Sequence, residues 1–142
     1  MMRFVIGADH RGFELKNELQ RVLVEISWID IGAYNTQSID YPLIAHKAAS
    51  MIQKKNFLNG VLICSSGIGM TIVANRYKCV RAALVWNPDV AKQAKEHDNA
   101  NMLVFPADYI SFEYAIDCFD AWRKATFLGG RYKKRIKEID YF

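Results

Sequence analysis

Cysteine and long apolar runs are scarce in this sequence, and each shortage excludes a class of protein. The chain has 3 cysteines among 142 residues, widely spaced and without a Cys-x-x-Cys pair, which argues against a disulfide framework or a zinc site. No apolar run approaches the roughly 18 residues that cross a bilayer. Only Phe4-Val5-Ile6 lie between Arg3 and Gly7, too few for a signal-peptide core. We therefore expect a cytoplasmic protein without a membrane partner.

Nucleotide-binding glycine signatures, repeats and linkers are missing as well. The glycines near residue 67 do not follow the first predicted strand, as a dinucleotide fingerprint requires, and no Gly-Lys-Ser/Thr phosphate loop occurs. With 51% hydrophobic and 24% charged residues, the composition is that of an ordinary globular protein. We predict a single domain over residues 1–142.

Positive charge is concentrated near the end of the chain. The net charge is +4, and the run 131–137 reads RYKKRIK. Such a basic face suggests an anionic partner, either a nucleic acid or a small phosphate ester, although it is also typical of a solvated helix. Glu138 and Asp140 interrupt the run and aromatic residues do not interleave on one face, so we expect no nucleic-acid partner. Arg131 and Arg135 are four residues apart, which would allow them to clamp one phosphate.

Short β-branched runs alternate with longer helical patterns, which predicts an α/β fold with a parallel sheet. We predict strands at 3–7, 28–31, 60–64, 81–86 and 102–105. We predict helices at 12–25, from 40–42 through 52, at 68–76, from 87–89 to 96, at 111–127 with 129–130 ending it, and at 131–139.

Parallel sheets of this kind bind ligands beyond the carboxyl ends of their strands. Asp9-His10 follows the first predicted strand, the segment 64–69 follows the third, and Asn87 follows the fourth. His97 comes directly before the fifth strand instead. We therefore expect His97 at the opposite edge of its own subunit.

The third strand ends on a cysteine followed by flexible backbone. Gly67 and Gly69 allow close approach of a ligand, and the free N–H groups of the next helix favour negative charge. Cys64 would there be a candidate base or nucleophile, because a helix start favours the thiolate. The alternative is a small core residue that ends a strand. Asp9 has two interpretations in the same way, as a site residue or as a helix cap.

Taken together, the motifs resemble one family over essentially the whole chain. The matching residues are Gly7, Asp9, His10, Gly12, Phe13, Leu15, Lys16, Asp40, Tyr41, Pro42, Cys64, Ser66, Gly67, Gly69, Ala74, Asn75, Arg81, Ala82, His97, Asn101, Gly129, Gly130, Arg131 and Arg135. In this order they resemble ribose-5-phosphate isomerase B. Isomerases of allose 6-phosphate and galactose 6-phosphate share the scaffold.

The resemblance implies a fold and an assembly. It implies a Rossmann-like, three-layer α/β/α sandwich around a five-stranded parallel sheet. It also implies a homodimer or a dimer of dimers with active sites across the interface. Residues 131–142, a basic helix and tail, would reach the partner subunit. His97 would then serve the Cys64 cleft of the partner.

The resemblance also implies a reaction and residue roles. The substrate would be a phosphosugar, and ribose 5-phosphate and ribulose 5-phosphate would interconvert through an enediolate, as in the pentose phosphate pathway, without metal or cofactor. Cys64 would be the base, with His97 assisting ring opening together with Asp9. The Ser66 hydroxyl and the backbone N–H groups of Ser66, Gly67, Ile68 and Gly69 would bind the oxyanion, and Ser65 would belong to the same substrate site. The phosphate would contact His10, Arg131 and Arg135, while Tyr41 and Asp98 would line the sugar site.

Three residues depart from the family pattern. Ser65 stands where glycine is usual, and Asp98 replaces an asparagine, so that a hydrogen-bond donor becomes an acceptor only. Asp108 replaces an arginine of the phosphate clamp, a loss of about 1.5 to 3 kcal/mol unless Arg11, Arg76 or Lys78 compensates. These changes keep two alternatives open, an isomerase of a six-carbon sugar phosphate and a non-catalytic subunit with the isomerase fold.

Overall fold

The protein forms a five-stranded sheet with six helices in a computed structural model that describes residues 2–55 and 58–141. Residues 1, 56, 57 and 142 of the predicted domain 1–142, the last of which also ends the predicted tail 131–142, thus lie outside the described residues. The elements are β1 (Arg3–Ala8), α1 (Phe13–Val22), β2 (Ser27–Asp30), α2 (Tyr41–Lys54), β3 (Asn59–Cys64), α3 (Ile68–Ala74), β4 (Ala82–Leu84), α4 (Pro88–Asp98), β5 (Met102–Pro106), α5 (Phe112–Lys124) and α6 (Arg131–Tyr141).

All strand pairs are parallel, in the order β2-β1-β3-β5-β4, which confirms the predicted sheet. The central strand β3 pairs with β1 on one side and with β5 on the other. In these registers Ile63 lies opposite Ala8, and Cys64 lies opposite Pro106. The loops that follow β1, β3 and β5 therefore emerge side by side at one edge of the sheet.

Side chains of the inner strands β1, β3 and β5 are buried on both faces of the sheet, and the two faces form separate cores. Successive strand residues point to opposite faces. Ile6 and Ile63 join one cluster, with residues of α1, α4 and α5. Val5, Leu62 and Cys64 join the other, with residues of α2 and α3. The predicted three-layer α/β/α sandwich is thus confirmed.

Two predicted helices have different ends in the structure. The first ends at Val22 and not near residue 25, because the N–H of Ile26 closes a turn on the Leu23 carbonyl at 3.2 Å. The helix α4 continues to Asp98, two residues beyond the prediction, and stops where Asn99 adopts a left-handed conformation with φ 45°.

The edge strand and the helix before it are shorter than predicted. The helix α3 ends at Ala74, and β4 covers three residues. Asn75 explains part of both limits, since its side-chain amide accepts from the N–H of Ala82 at 2.8 Å and donates to the Ala82 carbonyl at 3.0 Å. These bonds join the end of α3 to the start of β4, where an edge strand has a single neighbour.

The predicted role of Gly129-Gly130 at the end of the fifth helix is wrong. The helix α5 ends at Lys124, where Ala125 becomes extended. Both glycines have positive φ and directly precede α6, which continues to Tyr141. The N–H of Leu128 bonds the Glu96 carbonyl at 3.0 Å, which fixes the connection beside the end of α4. Among the described residues no helix has the length and apolarity to span a membrane.

Candidate active site

The loops after β1, β3 and β5 are joined by backbone hydrogen bonds around Cys64. The N–H of Asp9 donates to the Ile63 carbonyl at 3.2 Å. The N–H of Ala107 donates to the Cys64 carbonyl at 2.9 Å, and that of Asp108 to the Ser65 carbonyl at 3.0 Å. The edge of the sheet is therefore a fixed frame, and the Cys64 loop lies between its two neighbours.

Cys64 is buried in the core between the sheet and the helices α2 and α3, with 4% of its surface exposed. Burial raises the pKa of the Cys64 thiol above its ordinary value. The backbone N–H groups of Met70, Gly67 and Ser66 lower this pKa in part, as expected for a helix start, and the nearby charge of Asp9 raises it. The net direction is upward, opposite to the predicted one, because desolvation outweighs the N–H groups.

Glycines are required where this loop packs tightly. Gly67 has φ 75° and caps α3, a conformation that favours glycine. A Cβ on Gly69 would overlap the ring of Tyr41, so Tyr41 lies directly against the start of α3. Outside glycine, positive φ occurs in the described residues at Cys79 and Asn99 and not at Ser65. Serine at position 65 is thus compatible with the backbone.

Ser66 places its hydroxyl at the beginning of α3. The Oγ atom of Ser66 accepts a hydrogen bond from the N–H of Ile68 at 3.2 Å. The hydroxyl proton is not used in that bond, so Ser66 can still donate to a ligand oxygen. The side chain of Ile68 is exposed beside it.

Asp9 closes the turn between β1 and α1. Its Oδ1 atom accepts from the N–H of Arg11 at 2.9 Å and from that of Gly12 at 3.1 Å. Asp9 therefore does act as a cap, as one of its two interpretations predicted. Its carboxylate caps the turn that precedes α1 and not the first turn of the helix itself. The residue is buried and close enough to Cys64 for its charge to affect the thiol. It thus has a structural role and a position in the site.

His10 follows Asp9 and is held by the chain before α2. Its Nδ1 atom accepts a hydrogen bond from the N–H of Ile39 at 3.2 Å. A neutral imidazole that accepts at Nδ1 carries its proton at Nε2, where it can donate to a ligand. The structure therefore gives His10 an orientation that the sequence did not reveal.

His97, Arg131 and Arg135 form a second cluster, built on Tyr132. The rings of His97 and Tyr132 stack with centroids 4.6 Å apart and an interplanar angle of 5°. The guanidinium groups of Arg131 and Arg135 lie over the Tyr132 ring at 5.0 and 5.6 Å. In the described residues neither arginine forms a salt bridge with a carboxylate. The cluster is a cationic surface available to an anion.

The two clusters lie at opposite edges of the sheet in one chain. His97 is in the last turn of α4, an 11-residue helix that runs back from the carboxyl edge over about 16 Å. Asp98 lines a different cavity of ≈ 380 Å³, together with residues of the segment 75–83 and of α6. The structure thus brings Asp9, His10, Tyr41 and Ser66 to Cys64, and it does not bring His97 or Asp98 there.

Two features of these clusters were not predicted. In the sequence, Tyr132 was noted only as part of a basic run. Its position between Arg131 and Arg135 could have indicated that its ring contacts both guanidinium groups. Arg11 and Asp108 form a salt bridge of 2.7 Å beside the Cys64 loop. The sequence suggested Arg11 as one residue that could compensate for Asp108, but nothing in the sequence predicted that the two side chains are in contact.

Comparisons with known proteins show which family the chain belongs to. The model of the family Ribose/Galactose Isomerase matches residues 4–139. A putative sugar phosphate isomerase of Rickettsia bellii is 41% identical over 138 residues, which cover 96% of each chain. Ribose-5-phosphate isomerase B of Escherichia coli is 34% identical over 141 residues, covering 98% of this chain and 95% of that one.

Solved structures give the same result. A ribose 5-phosphate isomerase of Thermotoga maritima superposes with a TM-score of 0.96 at 40% identity, covering 99% of both chains. Ribose-5-phosphate isomerase B of Mycoplasma genitalium, solved with bound ribulose-5-phosphate, gives 0.94 at 34% identity and covers 99% of this chain and 95% of that one. The chain belongs to the ribose/galactose isomerase family, which confirms the resemblance and the isomerase class of enzyme predicted from its sequence.

Proposed function

We propose that this protein interconverts ribose 5-phosphate and ribulose 5-phosphate, with Cys64 as the base that moves the proton. One observation carries the proposal: the Cys64 thiol ends the central strand beside Asp9 and faces backbone N–H groups of the loop that follows. The relatives named for this reaction and the ribulose-5-phosphate complex of the Mycoplasma protein support the choice of a pentose phosphate.

The reaction has two stages, ring opening and isomerisation, and each stage moves protons. In ring opening, the anomeric hydroxyl loses a proton and the ring oxygen gains one. Asp9 assists this step, and His97 of the partner subunit protonates the ring oxygen. The Cys64 thiolate then removes the proton from carbon 2, giving an enediolate. The hydroxyl proton on oxygen 2 moves to oxygen 1, and the Cys64 thiol returns its proton to carbon 1, which leaves the carbonyl at carbon 2. The hydroxyl of Ser66 and the backbone N–H groups of the segment 65–69 stabilise the enediolate oxygens.

Two copies of the chain are needed to complete this site. Because Cys64 and His97 lie at opposite edges of one sheet, they act on one substrate only if a second copy supplies His97. The helix α6 has no buried residue in its own subunit, which leaves it free to pack against another. Exposed apolar side chains near the Cys64 loop, Tyr41, Leu43, Ile68 and Ile72, offer it an apolar surface. We propose a homodimer on these grounds. A dimer of dimers would contain the same interface and is compatible with this proposal.

The phosphate contacts complete the assignment. Arg131 and Arg135 of the partner subunit would bind it together with the Nε2–H of His10. Their positive charge would also stabilise the Cys64 thiolate and offset the effect of burial on its pKa. A thiolate formed against desolvation is a strong base, which suits removal of a proton from carbon.

The cytoplasmic location of the protein stays a prediction.

The test is a direct assay with purified protein. We expect ribose 5-phosphate to be converted to ribulose 5-phosphate at the same rate with and without a metal chelator. The assay should be repeated with allose 6-phosphate and galactose 6-phosphate at equal concentration. A higher kcat/KM for a six-carbon substrate would replace the pentose in this proposal, and a dimer inactive with all three would indicate a non-catalytic subunit.

A further inference from the structure

Arg11 and Asp108 form an ion pair directly beside the Cys64 loop. The Nη2 atom of Arg11 donates to Oδ2 of Asp108 at 2.7 Å, although the two residues are 97 positions apart. Arg11 follows β1, and Asp108 follows β5. Because β1 and β5 flank β3, the pair connects the loops on both sides of Cys64.

The backbone at each end of the pair is attached to the site. The N–H of Arg11 donates to the Asp9 carboxylate, and Gly12 lies so close to the end of β3 that a Cβ there would be 2.5 Å from the Ile63 carbonyl oxygen. At the other end, the N–H of Asp108 bonds the carbonyl of Ser65. Both side chains therefore start from fixed points around the loop.

The pair itself is accessible and easily exchanged. The side chain of Arg11 is 56% exposed and that of Asp108 is 38% exposed. Exposed ion pairs of this kind contribute little free energy, because water competes for both charges. Arginine has five N–H donors, and the described residues accept one side-chain bond from Arg11. The guanidinium can thus receive a second anion without moving far.

We propose that Arg11 is a same-subunit contact for the phosphate of the substrate, and that Asp108 is its counter-ion in the absence of substrate. Asp108 holds the guanidinium at the rim of the Cys64 loop and gives way when the phosphate binds. The identity of the phosphate ester rests on the proposed function, whereas the anion site itself does not.

The proposal predicts opposite effects for the two partners. Loss of Arg11 removes a charge-assisted bond to the phosphate, whereas loss of the Asp108 charge removes an anion that competes for the same guanidinium. If the ion pair only stabilised the loop, either substitution would break it, and both variants would change KM in the same direction.

The first test compares Arg11→Met with Arg21→Met, which removes an exposed arginine from the last turn of α1. We expect Arg11→Met to raise KM for ribose 5-phosphate about tenfold, with kcat changed less than about twofold. Competitive inhibition by inorganic phosphate should weaken by a similar factor. The Arg21 control should match the unchanged protein. Equal KM and equal phosphate inhibition in the Arg11 variant would overturn the proposal.

The second test uses Asp108→Asn, which keeps the shape of the side chain. We expect KM for ribose 5-phosphate and the inhibition constant of inorganic phosphate to fall a few-fold, by roughly the affinity that a competing charge removes. The double variant with Arg11→Met should have the KM of the Arg11 variant alone. An Asp108 variant with a raised KM would overturn the counter-ion role.

A binding measurement separates this inference from the reaction. Titration calorimetry with inorganic phosphate requires no turnover, and we expect about tenfold weaker binding for Arg11→Met than for Arg21→Met. A protein inactive on ribose 5-phosphate that still shows this difference would contradict the proposed function and support the anion site. If the protein is active on ribose 5-phosphate but both variants bind phosphate equally well, the proposed function is supported and the anion site at Arg11 is contradicted.

Discussion

The two edges of the sheet carry two kinds of chemistry. At the carboxyl edge, Cys64 and Asp9 are buried and held by backbone hydrogen bonds from neighbouring loops. At the amino edge, the side chains of His97, Arg131 and Arg135 meet around the ring of Tyr132, and one backbone bond, from Leu128 to Glu96, fixes the connection between their helices. The first cluster is desolvated and contains the candidate base. The second is cationic and suited to an anionic substrate.

The difference shows why one chain is an incomplete site. Burial favours the neutral thiol of Cys64, and Arg11, the cation beside the Cys64 loop, is paired with Asp108. The amino edge supplies the positive groups of Arg131 and Arg135, whereas the candidate base Cys64 lies at the other edge. If the carboxyl edge of one chain meets the amino edge of another, the positive groups of the second chain lie next to the Cys64 thiol of the first. This complementarity is the physical basis of the proposed homodimer.

The largest effect should follow loss of the base. Cys64→Ala should lower kcat for ribose 5-phosphate by about 10² to 10⁴-fold, since no other group replaces the proton acceptor. Steady-state kinetics measure this, and circular dichroism checks the fold. Cys79→Ser is the matched control, because Cys79 is exposed and lies outside the site. A Cys64 variant within tenfold of the control would remove Cys64 from the mechanism.

A mixed dimer tests whether the two edges of different chains form one active site. Co-expression of Cys64→Ala and His97→Asn chains with different tags allows the mixed dimer to be purified. In a dimer with shared sites, one of its two sites then contains both unchanged residues, so about half of the unchanged kcat should return. If the catalytic pair belonged to one chain, the mixed dimer would be as inactive as each parent.

Loss of the cationic cluster should act mainly on KM. Arg131→Met and Arg135→Met should each raise KM for ribose 5-phosphate about tenfold to hundredfold, because each removes a charge-assisted bond. Lys134→Met is the matched control on the same helix, where Lys134 pairs with Glu138 at 3.9 Å. Equal effects of all three substitutions would indicate a general charge effect and contradict a specific phosphate contact.

Packing behind the site should be less costly to disturb. In Gly12→Ala the new Cβ would meet the Ile63 carbonyl oxygen at 2.5 Å, and a strand backbone cannot yield easily. We expect the free energy of unfolding to fall by about 1 to 3 kcal/mol, measured by urea titration. Gly130→Ala, whose Cβ meets no atom within 4 Å, shows the cost of positive φ without a clash. A smaller loss at Gly12 than at Gly130 would contradict the packing.

The smallest effect concerns the thiols and pH. Alkylation followed by mass spectrometry should modify the exposed Cys79 first, Cys64 more slowly, and Cys118 least, because burial raises the pKa of Cys118 to about 11. The raised pKa of Cys64 and of Cys118 in the folded state means that these two thiols stabilise the fold below their unfolded-state pKa, and that this stability is lost as pH rises through the folded-state pKa. Faster alkylation of Cys64 than of Cys79 near neutral pH would show that its pKa is lowered.

The fold was largely predictable because its signals are local. Strands of a parallel sheet covered on both faces are short apolar runs, and the helices between them have an apolar stripe, so both can be recognised without knowledge of the partner strand. The helix ends were less predictable, because they depend on contacts with distant segments. Leu128 bonding to Glu96, and Asn75 to Ala82, are examples.

The candidate site divides in the same way. Asp9, Cys64 and Ser66 were found because each lies within two residues of the end of a strand, and strand ends converge in any parallel sheet. The direction of the Cys64 pKa was not found, because it depends on how much of the thiol the helices α2 and α3 cover. The Arg11–Asp108 pair depends on the placement of β1 and β5 on either side of β3.

The sequence by itself determined the alternation of strands and helices, the residues at the strand ends and the position of His97 at the opposite edge. These follow from periodicity and chain order, which act over a few residues. Only the tertiary structure decided which loops touch, how far Cys64 is desolvated, and that Tyr132 gathers His97 and two arginines. Such properties depend on the distances between segments far apart in the chain, and those distances are fixed only when the sheet and its two helix layers have packed.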